Sequence, residues 1–361
     1  MIILGLMSGT SMDGLDCCLA KILIKKDKLN FEIIKSTTFN YTAKTRKILL
    51  ESVFDKKYNM NFLDKYLGKI YSGFIDIFLN SERVDLIANH GQTISHKDKV
   101  YSTQICSPSI LFNTFKIPVA YNFRSNDIKV GGNGAPLMPL LDWYLFNEEN
   151  AITINVGGIS NLSIVFSNKN KNSVIGFDTG PGMCLIDLYV KKYWSIEFDF
   201  NGELASNGEV NKILLNYLMS GEFTKQKYPK SASTEMYDLK YLTKIESKFS
   251  NINSYDFLRT LVNFTAESIS ENLKKVVNLS KLQNYKIFAS GGGVKNKVLL
   301  NDLNENLSDK VELLNFMNLN IDNKESFLMC LMGYTCFKKI NNNMPSVTGA
   351  KKPVVCGEIY E

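Results

Sequence analysis

Asp178 closes an apolar run, Ser173 to Phe177, and is followed by Thr179-Gly180-Pro181-Gly182 and a helix-like stretch, Met183 to Lys191. A carboxylate at a strand end, among glycines and ahead of a helix N-terminus, suits a general base or a metal ligand. Helix capping is the rival role, weakened by the residues that separate Asp178 from the helix. Arg124 ends a second strand-like run, Ile117 to Phe123, where its guanidinium can fork onto a carboxylate or phosphate, or merely join a surface salt bridge. Glu325 opens a helix-like stretch reaching Phe337 and either favours the helix dipole or, if it faces a site, holds a metal. His90-Gly91-Gln92-Thr93 ends a third run, Val84 to Asn89, and ligands sit at such carboxyl ends in open α/β sheets, so these four residues are expected to line a cleft. His90 and His96 are the only histidines. They are too few for a zinc site without matched carboxylates, which favours a hydrogen-bonding or structural histidine.

Two small-residue loops could meet an anion. Ile2 to Leu6 reads as a strand that opens into Ser8-Gly9-Thr10-Ser11-Met12-Asp13-Gly14. Gly5, Gly9 and Gly14 permit positive φ and close backbone approach, while Ser8, Thr10 and Ser11 add hydroxyls, a combination that holds polyphosphate without lysine; a hairpin turn is the plainer alternative. A loop of the same make, Asn155-Val156-Gly157-Gly158-Ile159-Ser160-Asn161, lies between the strand-like runs Ala151 to Ile154 and Leu162 to Phe166. Two such openings about 150 residues apart suggest a duplicated α/β unit whose loops face each other across a cleft and grip one triphosphate. Gly291-Gly292-Gly293 follows the run Asn284 to Ala289 and precedes a helix-like stretch from Asn296 to Asn306; it reads as an adenine platform or as a tight strand-to-helix turn.

The elements that must carry these groups form a mixed sheet with helices. Leu15 to Ile24 and Phe31 to Asn40 continue the first strand as a meander, and Lys44 to Phe54 and Leu63 to Leu79 have helical spacing. A chain of 361 residues, 45% hydrophobic and 22% charged, fits two globular domains. The net charge of +6 is dispersed, without the basic stripe a nucleic acid would need. None of the seven cysteines forms a Cys-x-x-Cys pair, which fits buried thiols in a reducing compartment. No signal peptide or membrane span is legible, so the cytoplasm is expected. No Gly-x-x-x-x-Gly-Lys-Ser/Thr or clean Gly-x-Gly-x-x-Gly is present, which argues against P-loop and dinucleotide folds.

Taken in order, Gly5 to Asp13, His90 to Thr93, Phe123-Arg124, Gly134-Ala135-Pro136-Leu137, Asn155 to Gly158, Phe177 to Gly182, Gly291 to Gly293, Lys324-Glu325 and Thr348-Gly349-Ala350 resemble the 1,6-anhydro-N-acetylmuramic acid kinases. Levoglucosan kinase is a relative within the actin and hexokinase superfamily. The resemblance implies two RNase H-like α/β domains with a nucleotide cleft between them: residues 1–128 with 342–361, and residues 129–341. It also implies a kinase that hydrolyses the 1,6-anhydro bridge and phosphorylates the sugar at O6, giving N-acetylmuramic acid 6-phosphate, with ATP as co-substrate and Mg²⁺. Asp178 matches the base that deprotonates the attacking water and a metal ligand, together with Glu325. Thr93, Arg124, His90 and Gln92 match the sugar side, with Arg124 toward the muramic acid carboxylate. Ser8, Gly9, Thr10, Ser11, Asp13, Gly157 and Gly158 match the phosphate loops, and Gly291, Gly292 and Gly293 the adenosine side. The expected partners are sugar and ATP, not nucleic acid or membrane, and a homodimer is compatible with the family. Departures from the family pattern are Met183 in place of asparagine, Asn133 in place of glutamine, Asp142 in place of histidine, and a Ser231 to Glu235 segment without the usual Thr-Gly-Arg-Glu ending. They leave open a different anhydrosugar or simple sugar as substrate, or a non-catalytic sensor.

Overall fold

The computed structural model describes residues 1–9, 11–54, 58–168, 170–307 and 310–361; Thr10, one of the expected phosphate-loop residues, lies outside them. The chain packs as two compact units, Met1–Leu145 with Asn315–Glu361, and Phe146–Leu314.

In the first unit β1 (Ile2–Ser8), β2 (Gly14–Lys25) and β3 (Lys28–Asn40) form the expected antiparallel meander. Helices α1 (Ala43–Phe54) and α2 (Met60–Leu79) follow; Asn59 caps α2 by accepting from the Asn61 and Phe62 N–H groups. Strand β4 (Leu86–Lys97) then lies parallel to β1, with β5 (Tyr101–Ile105) folded back on its far end. After α3 (Pro108–Phe115), β6 (Val119–Tyr121) lies parallel to β4. Helices α4 (Ser125–Lys129) and α5 (Met138–Phe146) complete this first pass.

The second unit repeats the plan. β7 (Asn150–Val156), β8 (Ile159–Val165) and β9 (Ile175–Pro181) form an antiparallel meander, and α6 (Cys184–Trp194) follows directly. Helices α7 (Lys212–Met219), α8 (Glu222–Lys225), α9 (Leu239–Lys248) and the long α10 (Ser254–Ser280) precede β10 (Tyr285–Ser290), which is parallel to β7. α11 (Lys297–Leu307) leads to β11 (Val311–Leu313), parallel to β10.

The chain then returns to the first unit through a β12–β13 hairpin (Asn315–Phe316, Leu319–Asn320), α12 (Lys324–Phe337), α13 (Pro345–Thr348) and β14 (Glu358–Tyr360), which is antiparallel to β6. The sheet orders are β14-β6-β4-β1-β2-β3 and β11-β10-β7-β8-β9. Reading each sheet from its meander, both run third, second, first, fourth, fifth, which is the duplicated RNase H-like α/β plan.

Alternation along β1 sorts its two faces. Leu4 and Leu6 join Leu15, Leu19 and Ile87 against Leu63, Leu67, Tyr71 and Ile75 of α2. Each such buried side chain contributes about 1.5–3 kcal/mol. On the opposite face Gly5 meets α12 so closely that a Cβ would lie 2.0 Å from the Ser326 carbonyl oxygen. The first unit takes in α5 and α12, beyond the expected limits at residues 128 and 342, because Lys324 of α12 forms a buried ion pair with Asp142 of α5 at 3.1 Å.

Two local expectations change. β4 runs on past Asn89, so His90 to Thr93 lie inside a strand, continued by antiparallel pairing to β5. Gly5, Gly9 and Gly14 all avoid positive φ, and Met12 is the described residue of the first loop that adopts it, at φ +53°. Six of the seven cysteines are buried, and all seven are free thiols.

Candidate active site

Asp178 stands on β9 opposite Asn161, next to a bulge where Thr179 is the extra residue between the Asn161 and Ser160 pairings. A bulge re-aims the neighbouring side chain, here a half-buried carboxylate. The segment Tyr228 to Ala232 straps it down. Tyr228 stacks on Phe177 with ring centroids 5.1 Å apart, and the Asp178 N–H donates to the Lys230 carbonyl at 3.1 Å. Asp178 Oδ2 accepts from the Ser231 hydroxyl at 3.1 Å and the Ala232 N–H at 2.8 Å. These donors favour the ionised carboxylate. The Lys230 ammonium, buried and donating to the Phe223 carbonyl at 3.0 Å, is pushed down to about 8 by desolvation and by Lys275, with Asp178 acting in the opposite direction.

The far side of the bulge is held by α10, a helix with no counterpart in the sequence-based expectations. Ser268 donates to the Thr179 carbonyl at 2.7 Å, Thr265 to that of Gly182 at 2.9 Å, and Asn272 to that of Thr179 at 3.3 Å. Beyond β9 the second glycine loop is tied by its own carbonyls. Gly158 O accepts from the Gly182 and Cys184 N–H groups at 2.9 and 3.1 Å, and Gly157 O from Met183 N–H at 2.8 Å. Met183 at the α6 N-cap offers no side-chain bond, so these carbonyls do the work an asparagine could do there. The loop and the helix start are thus one fastened piece. Gly291 and Gly293 pack against Val156 at the end of β7, whereas a Cβ on Gly292 would meet nothing within 4 Å. That open backbone suits a flat ring.

In the first unit, Arg124 follows β6. Its Nε donates to His90 Nε2 at 3.1 Å and its Nη1 to the Gly134 carbonyl at 2.8 Å. It keeps partial exposure although the surrounding protein desolvates it enough to pull the guanidinium down to about 10, with Glu325 opposing, which describes a recessed wall open on one side. Thr93 is half-buried, and its hydroxyl accepts from Gln104 Nε2 at 3.2 Å, leaving the O–H to donate. Ser8 and Gln92 point inward. Ser8 Oγ donates to Gln92 Oε1 at 2.6 Å and lies within hydrogen-bond distance of the Gly14 carbonyl and the Tyr41 hydroxyl, while Gln92 Nε2 donates to the Gly9 carbonyl at 3.0 Å. These two side chains therefore shape the first loop from beneath instead of meeting a ligand. Ser11 and Asp13 are exposed and bonded to each other at 2.8 Å.

Glu325 lies in the first turn of α12. Its side chain is reachable by solvent yet densely surrounded, and its carboxyl is raised by desolvation and by Asp16, with Lys324 and Arg124 opposing. Asp16 is raised in turn by burial, against a bond from Thr38, and by Asp13 and Asp322. A cation would relieve this crowding. Among the described residues no group of three or more His, Cys, Asp or Glu side chains forms a metal cage. That fits a Mg²⁺ held by one or two carboxylates and by phosphate oxygens, and not a resident metal.

The family model for anhydro-N-acetylmuramic acid kinase matches residues 1–361. The chain belongs to this family. Relatives of that name include those of Bacillus thuringiensis subsp. konkukian (31% identical, covering 99% of each chain), Caldanaerobacter subterraneus subsp. tengcongensis (33%, 99% of this chain and 96% of the relative) and Francisella tularensis subsp. novicida (33%, 98% and 97%). Seen as an anhydro-N-acetylmuramic acid kinase family member, its departures gain local explanations. Asp142 is the carboxylate that balances buried Lys324, whose charge would otherwise be uncompensated. Ser231 keeps the bond to Asp178 although the residues after it differ from the family. Asn133 leaves its side-chain oxygen buried without a hydrogen-bond partner among the described residues, and nothing in the structure explains that choice.

The structure brings Arg124, His90, Thr93 and Gln92 together with Ser8 in the first unit, and Asp178 with the second loop in the other. The site residues that the sequence reading passed over are the α10 stripe Thr265, Ser268 and Asn272, and the buried Asp127. Small polar residues recurring at helical spacing inside an apolar pattern were the available signal for the stripe. Asp127 gives no local signal, because its partners Asn343 and Thr348 lie far along the chain. No helix among the described residues is long and apolar enough to cross a membrane.

Proposed function

We propose that this chain is an ATP-dependent kinase that opens 1,6-anhydro-N-acetylmuramic acid with water and phosphorylates its O6, in the recycling of cell-wall amino sugars. The observation that carries the reading is the Asp178 carboxylate, aimed by a bulge and held through one oxygen by Ser231 and Ala232. In this reading Asp178 takes a proton from water, and the water oxygen bonds to carbon 1 as the bond from carbon 1 to the bridging oxygen breaks. The bridging oxygen stays on carbon 6 and accepts the γ-phosphoryl of ATP, releasing ADP.

Each unit has its own task. The first would supply Arg124 and Thr93 to the sugar, and the backbone of Gly9 with Ser11 and Asp13 to the phosphates. The second would supply the base, phosphate contacts at Gly157 and Gly158, and an adenosine platform at Gly291 to Gly293. Mg²⁺, held through Glu325 and Asp178 with the nucleotide, would neutralise charge on the transferring phosphoryl group.

The test is incubation of the purified chain with ATP and 1,6-anhydro-N-acetylmuramic acid in ¹⁸O-labelled water, sampled before the anomeric hydroxyl exchanges. Label on carbon 1 of a 6-phosphorylated product is expected. Phosphorylation without that label would make it a simple sugar kinase, and unchanged ATP would reject kinase action on this sugar.

A further inference from the structure

Arg124 is held at two of its nitrogens by acceptors of different kinds. Its Nε–H meets His90 Nε2 at 3.1 Å, and His90 Nδ1 lies 2.8 Å from the Gly91 carbonyl. A carbonyl can only accept and an arginine N–H can only donate, so both contacts are made at once by one form of the ring alone: neutral, with the proton on Nδ1. Burial and the Arg124 charge, which push His90 down to about 3, agree with that geometry. The ring is 4% exposed, so no solvent competes for Nε2.

The other hold is equally fixed. Gly134, whose carbonyl accepts from Arg124 Nη1, donates its own N–H to Asp127 Oδ2 at 2.8 Å. Asp127 is 1% exposed, and its other oxygen accepts from Asn343 and Thr348 at 2.8 and 2.9 Å. Three N–H bonds of Arg124 remain, two on Nη2 and one on Nη1.

We infer that His90 is not a sugar ligand but a positioning residue, which as a neutral Nδ1–H imidazole works with the Gly134 carbonyl to aim the remaining Arg124 N–H bonds at the carboxylate of the sugar. This rests on the reading of Arg124 as a sugar-facing group in the proposed function. Its consequence is selectivity: His90 matters for substrates that carry the lactyl carboxylate and little for those that lack it.

The experiment uses the full chain with two substrates, 1,6-anhydro-N-acetylmuramic acid and its lactyl-free counterpart 1,6-anhydro-N-acetylglucosamine. His90→Ala should lower the ratio of their kcat/KM values about tenfold, leave the KM for ATP unchanged, and act through KM more than kcat. His90→Gln, whose amide oxygen can take the Arg124 N–H, should recover most of the ratio. Equal losses on both sugars and ATP, or a glutamine variant no better than alanine, would overturn the inference. A second measurement needs neither activity nor a variant. Imidazole ¹⁵N spectra of the wild-type chain should show His90 as the Nδ1–H tautomer, unprotonated down to about pH 5. An Nε2–H ring, or one that titrates near its ordinary value, overturns the inference. If the wild type turns over neither sugar, the proposed function fails, and these spectra still decide the state of His90.

Discussion

The turn from β1 to β2 and the turn from β7 to β8 occupy equivalent places in two sheets of the same order, yet they are fastened by different chemistry. The first depends on side chains: Ser8 reaches Gln92, Tyr41 and the Gly14 carbonyl, and Gln92 reaches Gly9. The second depends on backbone: the carbonyls of Gly157 and Gly158 tie it to the first residues of α6. Duplication has kept the topology and let the fastening diverge. A side-chain fastening answers to residue identity, whereas a backbone fastening answers to whether a Cβ will fit.

The largest expected effect concerns the group beside the backbone-fastened turn. Asp178→Asn should lower kcat by about two decades or more while nucleotide affinity, followed by titration, stays near normal. Turnover like that of the wild type would remove the base from this half of the molecule.

Next comes a pair of alanine substitutions that sets one turn against the other. A Cβ on Gly182 would lie 2.2 Å from the Gly157 carbonyl oxygen, whereas one on Gly9 meets only Ser11 Oγ at 3.7 Å. Gly182→Ala should cost about 2–3 kcal/mol in urea unfolding and Gly9→Ala less than about 0.5 kcal/mol. Similar losses would mean that the two turns are fastened alike.

A pH series probes the helix to which the second turn is tied. Asp187 of α6 is pushed up to about 7, chiefly by burial and further by Glu197 and Asp199, and its Oδ1 has no hydrogen-bond partner among the described residues. An acid raised in the fold contributes stability fully below its unfolded value of about 3.9, and that contribution is lost as pH rises through the folded value. Asp187→Asn should therefore match the wild-type Tm near pH 4 and exceed it by pH 8, by on the order of 1–2 kcal/mol after allowance for solvent screening. A gain that is largest at pH 4 would contradict the assignment.

The smallest effect is expected from Ser231→Ala. It removes one of two donors to Asp178 Oδ2 and leaves the Ala232 N–H, so kcat should fall only about threefold to tenfold. A loss as large as that of Asp178→Asn would make the hydroxyl itself part of the chemistry.

Much of this was legible in the residues. The two strand-loop-strand openings, the Asp178 strand end and the Arg124 strand end all stand where alternation and small-residue loops place them. The sequence erred where one residue type serves several purposes. Glycines read as positive-φ hinges are instead points of contact, as at Gly5 beneath Ser326 and at Gly14 beneath Phe39. His90 and Gln92 carry ligand-like side chains, yet both are committed to neighbours that only the folded chain supplies, Arg124 for one and Ser8 for the other. Helix α10 announces no chemistry, because its contribution is to receive carbonyls from a strand nearly ninety positions away, as the separation of Ser268 from Thr179 shows.

The extra residue at Thr179 has a consequence for how this stretch can vary in length. Deleting one residue between Asp178 and Gly182 would flatten the ladder, slide the Gly-Pro-Gly turn by half a pleat and draw its carbonyls away from Thr265 and Ser268. Inserting one would push the start of α6 off the Gly158 carbonyl. Natural variation here is therefore confined to exchange of one side chain for another, and a homologue with a gap in this stretch would have to rebuild both attachments to keep its carboxylate in place.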